Sequence, residues 1–156
     1  KDKRVRFNLI GDGRYKQTLI SEIEDLDVVD YFNFIDRQPP ERIKKYMALS
    51  DASLILLARH KLFELYIPAK VQSSLACGIP IIGSISGETK RIIDGAGIGY
   101  CSEAGDLEGL YQNISKFSDL LPAERGAMQE NALQYYQDNF EKEKLMDELE
   151  DWLTYS

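Results

Sequence analysis

The run ASLILL, residues 52–57, is almost wholly apolar, contains no glycine or proline, and is too short for a core helix. It reads as a strand buried on both faces, which requires a covering layer on each side of its sheet. PAKVQSSLAC follows at 68–77 and reads as a helix ending at Gly78. Pro68 suits its first residue, because proline has a fixed φ and no N–H to satisfy. IPIIGS, 79–84, is the next apolar strand. A strand, a helix and a second strand, joined by a right-handed crossover, form a parallel pair.

The same alternation runs along most of the chain. VRFNLI is a strand ending at GDG, and RYKQTLISEIEDL a helix with Leu19, Ile23 and Leu26 on one face. YFNFI is a strand, and PPERIKKYMALS a helix with Ile43 and Met47 together. GETKRIIDGAG is a short helix broken by glycines, and GYCS a last strand. Three helices close the chain: DLEGLYQNISKF, PAERGAMQENALQYYQDN and EKEKLMDELEDWL. The expected architecture is α/β: a Rossmann-like open parallel sheet with helices on both faces. With no repeat and no visible linker, the 156 residues read as one domain.

Charge and composition exclude several classes. The formal net charge of -7 argues against a broad nucleic-acid footprint and against docking on an anionic membrane. A single histidine, His60, makes a histidine-based metal site a poor fit. Cys77 and Cys101 have no metal or redox spacing and read as reduced, buried small residues. The start of the chain has no signal-peptide core and looks cut from a longer protein. Tyr135, Tyr136, Phe140 and Trp152 read as packing residues, since they lack the basic interleaving of a nucleic-acid surface.

In open parallel sheets, ligands bind at the carboxyl ends of the strands, against helix N-termini. That singles out residues 11–14, 35–39, 58–68 and 84–88. GDG does not meet the dinucleotide fingerprint. It is either a tight turn with Asp12 near the cap, or a place where Gly11 and Gly13 admit a ligand to the backbone. Residues 58–70 are long for a strand-to-helix connection, usually about 2–6 residues. They carry Arg59, His60, Lys61, Glu64 and Lys70. Lys70 lies in the first turn of its helix, where the dipole disfavours a cation. Either an anion sits there, or the lysine stem lies on the surface with its ammonium in water or beside Glu64. Glu88 is either an acid complementing a helix dipole or a carboxylate aimed at ligand hydroxyls.

Taken in order, FNLIGDG, YFNFID, PPERIKKYMALSDASLILL, ELYIPAKVQSSLACGIPII, SGE and NF resemble the C-terminal domain of GT-B glycosyltransferases of group 1, family four. The Pro-x-Lys helix start resembles the bacterial branch that makes surface polysaccharides. The resemblance implies half of a GT-B fold that binds a nucleotide diphosphate sugar, with UDP-sugar favoured. It implies no other cofactor, no metal, retaining transfer to a polysaccharide or lipid-linked acceptor, and a cytoplasmic protein. Gly11 and Gly13 match the family's glycine turn, and Phe34 and Ile35 the loop whose backbone faces the base. Glu64 matches the first residue of the Glu-x7-Glu motif, with an interval one residue longer here. Leu65, Tyr66 and Ile67 match the loop meeting the diphosphate and sugar. Ser73 stands where the second Glu binds the ribose, and Glu88 is a further donor contact. Glu64 and Lys70 are the catalytic candidates.

The family's basic pair lies in a strand–helix unit that would precede Lys1, and the acceptor domain would precede that. Any contact with the inner face of the membrane would fall to that domain. The chain alone is therefore expected to transfer nothing. Two rival readings are a non-catalytic nucleotide-binding module and a GT-B-type nucleotide-sugar epimerase. An epimerase would call for more acidic and histidine residues in the cleft.

Overall fold

The computed structural model describes residues 5–154. The backbone divides into two compact units between Tyr46 and Met47. The first holds β1 (Phe7–Ile10), α1 (Lys16–Asp25), a 3-10 turn (Val29–Tyr31) and β2 (Phe32–Ile35). It also holds most of α2 (Pro40–Ala48). β1 and β2 pair in parallel, Phe7 opposite Phe32 and Ile10 opposite Ile35. The Phe7 and Phe32 rings stack at 5.2 Å, and the Asn33 amide donates to Asn8 Oδ1 at 2.9 Å. Cross-strand pairs of this kind fix register. On α1 only Ile23 is buried; Leu19 and Leu26 are exposed, so the expected apolar face narrows to one residue.

The second unit holds β3 (Ser53–Leu56), α3 (Lys61–Glu64), α4 (Ala69–Ala76), β4 (Ile81–Ser84) and α5 (Glu88–Gly95). β5 (Gly99–Ser102), α6 (Leu107–Asp119), α7 (Pro122–Phe140) and α8 (Lys142–Thr154) follow. β3, β4 and β5 form a parallel sheet with β4 in the middle. Every strand pair among the described residues is thus parallel, as expected, though the pairing falls into two sheets rather than one. β4 is buried along its whole length. β3 is an edge strand of its sheet: Ile55 is buried, but Leu54 and Leu56 are 39% and 56% exposed. The expectation of burial on both faces holds for β4 and fails for β3.

The core gathers Ile55, Val71, Leu75, Ile81, Ile85, Ile93, Ile98 and Ala132. α4 supplies Val71 and Leu75, one turn apart on the face toward the sheet. It ends where expected. The Gly78 N–H donates to the Leu75 carbonyl and the Ile79 N–H to the Ser74 carbonyl, with Gly78 at φ +63. This is a Schellman cap, which needs a left-handed residue. Tyr135, Tyr136 and Phe140 pack against this core, whereas Trp152, on a helix with no buried residue, is 71% exposed. Both cysteines are free and half-buried. Burial, and secondarily the nearby Asp94 carboxylate, push the Cys101 thiol up to about 12, which keeps it protonated and inert. No helix among the described residues is long and apolar enough to cross a membrane.

Candidate functional site

In the second unit the carboxyl ends of β3, β4 and β5 are tied together by hydrogen bonds between their outgoing loops. Arg59 Nε donates to the Ala104 carbonyl at 2.8 Å. The Ser84 hydroxyl donates to the Glu103 carbonyl and accepts from the Gly105 N–H. The Ser86 hydroxyl donates to Glu103 Oε2 at 2.6 Å and accepts from the Ala104 N–H. Short side chains here satisfy backbone groups that would otherwise face the sheet end unpaired.

Residues 57–68 are not an open loop. They contain α3, a single turn that sequence periodicity did not reveal. His60 caps it, its Nδ1 accepting from the Leu62 N–H at 3.2 Å. Its ring also contacts Phe63, which in turn meets Tyr66 edge-on. The lone histidine is thus held in a capping position. Pro68 is the N-cap of α4 and not its first residue, so the helix starts one residue later than expected. Its ψ of 144 is extended, so it stands outside the helix while its carbonyl accepts from the Val71 N–H at 2.9 Å. No side chain caps α4. Lys70, its second residue, is exposed, and its ammonium meets no acceptor among the described residues, Glu64 included. Ser73 is exposed one turn further on.

A cleft of about 710 Å³ opens beside the end of α3. Glu64, Leu65 and Glu88 line it; Tyr66, Ile67, Lys70 and Ser73 do not. Lys90, Arg91, Asp94 and Glu103 complete its charged wall. Most of these charges are matched. Lys90 pairs with Asp94 at 2.7 Å, which raises the lysine pKa, and Arg91 pairs with Glu88 at 3.2 Å. Glu103 accepts from Ser86. The Glu64 carboxylate alone of the four acids meets no partner among the described residues. The i,i+3 and i,i+4 pairs on α5 are legible in ETKRIID; Glu103 carries no local signal that would place it here.

In the first unit, Gly11 follows β1 with φ +133, and its N–H donates to the Ile35 carbonyl at 3.0 Å. A Cβ built on Gly11 or Gly13 meets nothing within 4 Å. Asp12 is not the helix cap. Tyr15 occupies that position without a side-chain bond, because the turn continues to the Gly13 carbonyl, which accepts from the Lys16 N–H. Phe34 and Ile35 are half-buried and belong to β2 itself, not to the loop after it. The sequence also contains one Asp-x-Asp triplet, Asp25, Leu26 and Asp27. It lies at the C-terminal end of α1, and no group of three or more His, Cys, Asp or Glu able to hold a metal gathers among the described residues.

Comparison with solved structures defines the fold class. TarM from S. aureus, in a complex with fondaparinux, alpha-GlcNAc-glycerol and UDP, superposes with a TM-score of 0.75 at 15% identity. The match covers 98% of this chain and 29% of TarM. Anabaena Alr3699/HepE in complex with UDP gives 0.73 at 15% identity over 97% of this chain and 41% of that one. WaaG, a glycosyltransferase of lipopolysaccharide biosynthesis, gives 0.68 at 18% identity over 97% of this chain and 38% of its own. These are GT-B glycosyltransferases, and the chain has the fold of part of one.

Residues 1–135 match the family described as glycosyl transferases group 1, and the chain belongs to that family. It is also 27% identical, over 146 residues, to the N-acetyl-alpha-D-glucosaminyl L-malate synthase of Bacillus anthracis. That match covers 94% of this chain and 36% of the relative, so the chain spans about a third of the relative's length.

Proposed function

We propose that this chain is the donor-binding part of a retaining glycosyltransferase, taking a sugar from a nucleotide diphosphate, with UDP-sugar favoured. The observation that carries the reading is Lys70. It is a cation at the second position of a helix with no side-chain cap, and it has no ion-pair partner among the described residues. A helix N-terminus repels a cation and attracts an anion, so the empty arrangement is mildly unfavourable, by about 0.3–1 kcal/mol, and a negative group relieves it. A diphosphate held by the α4 amides and the Lys70 ammonium is such a group. Stabilising the departing diphosphate is then this chain's main contribution to catalysis. UDP in two of the similar solved structures supports the nucleotide.

The other roles follow the family pattern. Glu64, at the cleft and without a partner among the described residues, meets sugar hydroxyls, and Glu88 flanks it. The peptides of Leu65, Tyr66 and Ile67 approach the diphosphate and sugar. Ser73, exposed on the same helix as Lys70, meets the ribose. In the first unit, taken by itself, Gly11 and Gly13 offer open backbone, and Phe34 and Ile35 stand half-buried at the end of β2. No metal takes part, the protein works in the cytoplasm, and the chain alone turns over no sugar nucleotide.

The test is Lys70→Ala in the full-length polypeptide that carries this chain, with UDP and uridine titrated calorimetrically. UDP binding is expected to weaken by about 1.5–3 kcal/mol, the worth of a charge-assisted hydrogen bond. Uridine binding stays unchanged, and the ligand-free melting temperature holds or rises slightly. Equal UDP affinity in wild type and variant, or no UDP binding by the wild type, overturns the proposal.

A further inference from the structure

The first turn of α5 does more than line the cleft. Thr89 is wholly buried, and its hydroxyl donates 3.2 Å to the Tyr66 carbonyl, 23 residues earlier in the chain. Two residues before it, Gly87 is the N-cap of α5 at φ +78. A Cβ built there would lie 2.5 Å from the Glu64 carbonyl oxygen and 2.6 Å from its Cα, both backbone atoms that cannot step aside. Segment 64–66 is therefore pressed against α5 at both ends. The rest of its hold is light: the Leu65 N–H donates to the Leu62 carbonyl at 3.3 Å and the Tyr66 ring meets Phe63 edge-on, while Leu65 is 80% exposed and Tyr66 46%. α3, which precedes it, has no buried residue.

We infer that Thr89 is a positioning residue. Its buried hydroxyl, with the room that Gly87 leaves, sets where the Glu64 carboxylate and the peptides before Pro68 stand for a UDP-type ligand. Its own atoms touch the Tyr66 carbonyl, and it acts on the ligand only through that segment. The inference deepens the donor-binding proposal and rests on it.

Two variants separate the hydroxyl from the packing. Thr89→Val keeps the shape and removes the donor; Thr89→Ser keeps the donor and removes a methyl. In the ligand-free full-length protein, amide hydrogen exchange across residues 61–68 is expected to quicken about fivefold to tenfold in Thr89→Val, the scale of one net hydrogen bond. Exchange in β3, β4 and β5 should stay as in wild type. Thr89→Ser should match wild type. UDP affinity, measured by titration, is expected to fall about threefold to tenfold in Thr89→Val and to recover in Thr89→Ser.

Unchanged exchange in Thr89→Val overturns the clamp. Faster exchange with unchanged UDP affinity overturns the positioning role, leaving only a structural one. If Thr89→Val does not fold, Thr89→Ser still decides: quickened exchange there means that the methyl, not the hydroxyl, holds the segment. Failure of the wild type to bind UDP would instead defeat the donor proposal, with the exchange measurement still reading the clamp.

Discussion

The chain leaves a parallel strand for a helix in two contrasting ways. After β1 the turn is short and open: Gly11 adopts φ +133, and nothing approaches within 4 Å of the Cβ positions of Gly11 or Gly13. After β3 the connection is long, contains its own helical turn, and is bound from outside by Arg59 to Ala104 and by Thr89 to Tyr66. The first junction uses glycine for backbone freedom. The second depends on a glycine, Gly87, that belongs to another loop and is needed for the space it leaves. A turn built on dihedral freedom is local, whereas one built on close approach depends on residues distant in sequence.

Alanine at three glycines grades this contrast. Gly87→Ala should have the largest effect, because left-handed strain of roughly 1–2 kcal/mol adds to an overlap with backbone worth about 1–3 kcal/mol. Urea unfolding should show a loss of about 3 kcal/mol. A loss under about 1 kcal/mol would mean that segment 64–66 is free to move away, and the contrast between the junctions would disappear. Gly11→Ala carries strain without overlap, so about 1–2 kcal/mol is expected from the same measurement. A larger loss would show that the first junction is also crowded. Gly13→Ala, with neither positive φ nor a neighbour, should be neutral or stabilising by a few tenths up to about 1 kcal/mol through the unfolded chain. If Gly13→Ala nevertheless weakens UDP binding, the openness of that turn serves a ligand and not the fold.

Much of the architecture was legible because it depends on local rules. The alternation of apolar runs and helical periodicities marked each strand, and the Gly78 stop of α4 followed from the need for a left-handed residue. Lys70 was conspicuous for the same reason, since a cation in a first helical turn is a local anomaly. α3 escaped notice because one turn shows no periodicity, and the exposure of Leu54 and Leu56 because a strand's own residues do not say whether it lies at an edge. His60 is conspicuous in the sequence as the lone histidine but not as a cap, since capping depends on where the Leu62 N–H points. Asp12 misled because the turn ran further than its glycines suggested, leaving Tyr15 at the cap.

The sequence by itself determined the parallel α/β class, the bounded helix α4 and the cation at its start, because dihedral limits, periodicity and the helix dipole act over a few residues. Only the tertiary structure decided that Glu64 meets no partner among the described residues at a cleft it shares with Glu88, Asp94 and Glu103, and that Thr89 and Gly87 hold its segment. Ser86 and Glu103, and Thr89 and Tyr66, are joined across 17 and 23 residues. Through-space contacts of that kind follow from how α5 packs against the end of α3, and no local stretch of sequence encodes that.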